Sequence, residues 1–114
     1  MTGATRHFLD RVRRIGLLFK QRLAELMDRH PAVIAEIRGM GLLLGLRVNV
    51  PNTDFMAAAR DEKLLTVTAG DNVVRLVPPL TIGEAEVGEA MSRLDRACAT
   101  IEDGMRALAR GAAE

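Results

Sequence analysis

The sequence predicts an α+β domain in which a small, mostly antiparallel sheet is packed against helices, and three observations carry that prediction. A long run near the N-terminus repeats apolar residues at three- and four-residue steps. Two pairs of short apolar runs are each joined through turn residues that include glycine, the chemistry of hairpins rather than of long crossovers. A second helical repeat then closes the chain. The resulting order is long helix, two strands, short helix, two strands, final helix. At 114 residues this is one domain with a modest core.

From Thr5 to Arg29, the residues Phe8, Val12, Ile15, Phe19, Leu23 and Leu26 form one apolar stripe of a helix. Its other faces carry Arg6, Arg11, Arg13, Arg14, Lys20, Arg22 and Arg29 against Asp10, Glu25 and Asp28, a solvated basic surface. Pro31 stops it. Val33 to Arg38 reads as a strand, Gly39-Met40-Gly41 as a turn, and Leu42 to Val48 as its partner strand. The glycines do not make a dinucleotide fingerprint, because the third position of that motif is Leu44 and no helix follows. After the loop Asn49-Val50-Pro51, Asn52 or Thr53 is placed to cap a short helix ending near Lys63. Leu64 to Val67 and Val73 to Val77 are the arms of a second hairpin around Ala69-Gly70-Asp71-Asn72. Thr81 precedes a helix built on Val87, Met91, Leu94, Ala97, Cys98 and Ile101, with Glu84 and Glu86 in its first turn. Beyond Gly104 the Ala/Arg-rich tail is expected to fray.

Composition narrows the function classes. Sixteen basic and fifteen acidic residues leave a formal charge of +1, so no global field draws the chain to nucleic acid or to an anionic membrane. Three phenylalanines without Trp or Tyr give no stacking platform for single strands. No apolar run approaches the ~20 residues of a membrane span, and no signal-peptide core precedes the first helix. The expected location is the cytoplasm. The lone Cys98 reads as a buried, inert thiol, and His7 and His30 have no metal-ligand spacing.

One residue carries chemistry. In Val73-Val74-Arg75-Leu76-Val77-Pro78-Pro79-Leu80 a guanidinium sits inside an extended apolar segment that two prolines terminate. Val73, Arg75 and Val77 share one face, Val74 and Leu76 the other. A planar cation so placed needs a planar anion, and a carboxylate met by two parallel N–H donors is the usual one. Local sequence leaves two sources open: an internal Asp or Glu, or a ligand.

Two separated stretches in register, Arg38-Gly39-Met40-Gly41-Leu42-Leu43-Leu44-Gly45 and Leu64 through Leu80, closely resemble the C-terminal small domain of class III pyridoxal-phosphate aminotransferases. The likeness runs from about Phe8 to Ile101. It implies the small-domain fold of fold-type I PLP enzymes over residues 1–103, with 104–114 as a tail. It implies amino transfer between N-acetylornithine and 2-oxoglutarate in arginine biosynthesis, with ornithine, succinylornithine or 4-aminobutyrate as alternative donors. Arg75 matches the family's arginine for the carboxylate of glutamate or 2-oxoglutarate. The cofactor lysine of the family belongs to a large domain that is not in this chain, whose lysines are Lys20 and Lys63, both of surface character. The expectation is therefore a domain with no catalytic, cofactor-binding or metal-binding residue of its own. It would be inactive alone, and its partners would be the missing large domain and a second subunit of a homodimer. A free-standing interaction or oligomerisation module is the competing reading.

Overall fold

The computed structural model describes residues 3–40, 43–77 and 83–113. Seven elements follow one another: α1 (Gly3–Arg29), β1 (Ile34–Met40), β2 (Leu43–Val48), α2 (Asn52–Asp61), β3 (Thr66–Ala69), β4 (Val73–Leu76) and α3 (Glu84–Ala113). The strands form one sheet in the order β1-β2-β4-β3, and each neighbouring pair is antiparallel. The α+β prediction holds.

One face of the sheet makes the core. Leu44, Leu46, Val48, Val74 and Leu76 pack against Ile15, Phe19, Leu23 and Leu26 of α1, Phe55 of α2, and Val87, Met91, Leu94 and Cys98 of α3. The α1 stripe read from the sequence is thus buried from Ile15 onward, whereas Phe8 is exposed. The two long helices run side by side in the same direction. Arg11 approaches Gly83 just ahead of α3, and at the other end His30 lies 2.7 Å from both Asp95 and Glu102. The molecule is accordingly long, 65 × 27 × 22 Å.

Several boundaries differ from the sequence reading, each for a local reason. β1 continues through Gly39 and Met40, because Gly39 adopts φ 109° and stays paired with Leu44. The expected turn residue Gly41 and strand residue Leu42 lie outside the described residues, as do Pro78-Pro79-Leu80 and Thr81. Leu64 and Leu65 precede β3 instead of belonging to it. Neither Asn52 nor Thr53 caps α2: Pro51 holds the N-cap position with no side-chain bond. Asn52 is used otherwise, donating from Nδ2 to the carbonyls of Ala69 and Val73. α3 runs on as helix to Ala113, past the expected fraying point, with exposed side chains from Asp103 to Gly111.

Candidate functional site

The sheet face turned away from the helices holds the candidate site. Strand pairing sets Arg38, Gly45, Arg75 and Val67 in one row across β1, β2, β4 and β3. The next row is Glu36, Arg47, Val73 and Ala69. Every member of the two rows points to the open side, since side chains alternate along a strand. A groove of about 500 Å³ follows this surface, lined by Arg38, Leu43, Gly45, Gly70, Val73 and Arg75.

The β3–β4 turn closes one end of the groove, and asparagine chemistry shapes it. Asp71 and Asn72 adopt φ of 61° and 57°, a region that Asn and Asp tolerate better than other side chains. Asn72 Nδ2 donates to the Val48 and Val50 carbonyls at 2.7 Å, and its Oδ1 accepts the Asn52 backbone N–H at 2.8 Å. With Asn52 bonded to both ends of the turn, loop and helix hold it from behind. Asp71 then reaches forward to Arg38 at 2.6 Å.

Among the described residues, the charges on this face are matched except at one place. Glu36 accepts from Arg38 and from Arg47, each at 3.2 Å, and Asp71 completes the chain Arg47–Glu36–Arg38–Asp71. The hydrogen bonds from Arg38, then Arg47, hold the Glu36 carboxyl below the usual carboxylate range. The bonds to Glu36 and Asp71 in turn raise Arg38 above its ordinary value. Arg75 is exposed and makes no hydrogen bond or ion pair with another described residue. The two carboxylates described on this face, Glu36 and Asp71, pair with Arg38 and Arg47.

Gly45 explains why the groove is there. A Cβ at this position would stand 2.9 Å from Val73 Cγ1 and 4.0 Å from Arg75 Cγ, so the glycine leaves the space between Arg38 and Arg75 open. The sequence reading singled out Arg75 and missed this surrounding set. Its signal was available: Glu36, Arg38 and Arg47 recur at alternate strand positions, as an open sheet face requires.

The other reactive side chains singled out in the sequence do not line this groove. Cys98 is buried and its thiol is pushed up to about 12 by that burial, with Glu102 and Asp95 adding to it, which disfavours the nucleophilic thiolate. Lys20 is exposed and donates to the Gly39 carbonyl at 3.2 Å. Lys63 is exposed at the end of α2 with φ 62°. Neither is the enclosed amine that a Schiff base to pyridoxal phosphate needs, so these lysines do not fit that cofactor. Among the described residues no His, Cys, Asp and Glu cluster fits a metal ion, and no helix is long and apolar enough to cross a membrane.

The described residues thus form an antiparallel sheet covered by helices on one face, with Arg75, which pairs with no other described residue, on the other. The family model for class-III aminotransferases matches residues 2–98, and the chain belongs to that family. Its sequence is 55% identical over 94 residues to acetylornithine aminotransferase 1 of Bradyrhizobium diazoefficiens, covering 82% of this chain and 23% of that protein. It is 50% identical over 94 residues to the acetylornithine aminotransferase of Agrobacterium fabrum, covering 82% and 24%. The chain thus spans about a quarter of the length of the curated relatives it matches. Among solved structures, the N-acetylornithine aminotransferase of Stenotrophomonas maltophilia superposes with TM-score 0.77 at 29% identity, over 86% of this chain and 28% of its own. The ornithine aminotransferase of Toxoplasma gondii does so with TM-score 0.79 at 25% identity, over 90% and 25%.

Proposed function

We propose that this chain is the C-terminal small domain, residues 1–103 with a helical tail, of an acetylornithine aminotransferase of arginine biosynthesis. In that enzyme Arg75 binds a carboxylate of 2-oxoglutarate or glutamate. The observation that supports this most directly is the Arg75 guanidinium, without a partner among the described residues, in a groove whose other described charges are internally paired. Such a group meets a carboxylate through two parallel N–H donors and fixes its plane as well as its position. Gly45 and the tethered β3–β4 turn keep the approach open. The identity to acetylornithine aminotransferases supports N-acetylornithine as the amino donor ahead of ornithine.

The cofactor belongs to the remainder of the parent enzyme. The Toxoplasma gondii ornithine aminotransferase carries PLP at its active site, whereas the lysines of this chain are placed for no such bond. What this domain contributes is orientation: a rigid strand carries Arg75, and the bound carboxylate sets where the other end of the substrate lies. The large domain and a second subunit are its partners, in the cytoplasm.

Arg75→Lys in the complete enzyme tests the reading. A lysine keeps the charge but loses the fork, and KM for 2-oxoglutarate is expected to rise about tenfold or more, the worth of one charge-assisted hydrogen bond. Steady-state kinetics with both substrates unchanged would count against it.

A further inference from the structure

The groove contains a second arginine, and what restrains it has a consequence for substrate choice. Arg38 and Arg75 flank Gly45 in one row, so their Cα atoms stand two strand spacings apart, about 10 Å. No side chain fills the position between them. Two arginine arms at that separation could grip both ends of a short dicarboxylate. Arg38 is kept from doing so by Glu36 at 3.2 Å and Asp71 at 2.6 Å.

We infer that Asp71 and Glu36 are specificity-determining residues: by holding Arg38 they make the groove take one carboxylate end, at Arg75, and prevent it from chelating both ends of a dicarboxylate. The inference rests on the reading of Arg75 as the carboxylate site. Its functional logic is orientation. A five-carbon dicarboxylate gripped at both ends would lie flat along the sheet, with its reacting carbon held against this domain. Gripped at one end, it projects away from the sheet. The balance of charge fits: Arg38 and Arg47 are cancelled by Glu36 and by Asp71 of the turn, which leaves Arg75 as the net charge of the two rows and the turn together.

The test uses the 114-residue chain, labelled with nitrogen-15 and kept at a concentration where light scattering finds it monomeric, titrated with butyrate and with glutarate while backbone and arginine Nε resonances are followed. The unsubstituted chain is expected to bind the two within a few-fold of each other, with shifts centred on Arg75. Asp71→Asn, which keeps a residue suited to positive φ, is expected to strengthen glutarate binding about tenfold and leave butyrate unchanged. The double variant Asp71→Asn with Glu36→Gln removes both restraints and is expected to show at least the same gain. Amide dispersion reports that each variant is folded. If Arg75→Gln abolishes binding of both ligands but the double variant leaves their ratio unchanged, the restraint is wrong and the carboxylate site stands. If the unsubstituted chain binds neither ligand, or Arg75→Gln leaves binding intact, the carboxylate site fails and this inference with it.

Discussion

Arg75 is set apart by its neighbours' size and charge. Gly45 on one side gives room, Val67 on the other gives an apolar wall, and neither offers a carboxylate. The same economy of space governs the β1–β2 hairpin. Gly39 holds φ 109°, and a Cβ there would meet the Leu43 carbonyl oxygen at 1.8 Å. Backbone strain and overlap act together, so Gly39→Ala is expected to destabilise the chain by about 3 kcal/mol or more, read as a lowered urea midpoint. A loss below about 1 kcal/mol would show that the hairpin can re-form without left-handed backbone at this position. Sequence reading made Gly39-Met40-Gly41 a turn and ended the strand before it. Nothing local reveals that a strand continues through such a glycine until its partner strand is in place.

At the scale of elements, the weakly predicted feature is the junction between the two parallel helices. His30 ends α1, is buried, and lies between Asp95 and Glu102, while Arg29 donates to Asp95 at 3.3 Å. The hydrogen bond with His30, supported by Arg29, holds the Asp95 carboxyl below the usual range. A lowered folded-state value stabilises the fold above the unfolded carboxylate value of about 3.9, and that stabilisation is lost as pH falls through the folded value. Asp95→Asn is therefore expected to be less stable than the unsubstituted chain at pH 7, but to lose less stability between pH 4 and pH 2. Urea unfolding at several pH values checks this; parallel stability curves for the two proteins would remove Asp95 from the acid response. The sequence showed the helix end at Pro31 but not this junction. Its partners are 65 and 72 residues away along the chain, beyond the reach of any local pattern.

For the whole molecule, the decisive asymmetry is between the two faces of the sheet. The helix-covered face is apolar and closed. The other bears Arg75, the paired charges, and exposed apolar side chains, with Leu43 at 84% and Val67 at 49% exposure. Such a surface, ending at an unpaired β3 edge, favours contact with further protein. The proposed origin in a longer enzyme supplies that cover, since the relatives are about four times as long as the matched segment. Alone, the chain is expected to self-associate as its concentration rises, and Leu43→Lys with Val67→Lys is expected to suppress this in light scattering. Association that these substitutions leave untouched would place the contact elsewhere, for example on the exposed Phe8 and Leu17 of α1.

Period and turn chemistry determined the fold class, the helix–strand order and the candidate arginine, because those signals are local: a 3.6-residue repeat, alternation along a strand, and residues that accept positive φ. The matching of Arg38 and Arg47 to Glu36 and Asp71, which leaves Arg75 without a partner among the described residues, was decided only by the tertiary structure. The physical reason is register. Whether an arginine in a strand is paired depends on which residues of β1, β2 and the β3–β4 turn stand beside it. That follows from how the hairpins dock, with β4 against β2, and not from any run of neighbours in the chain.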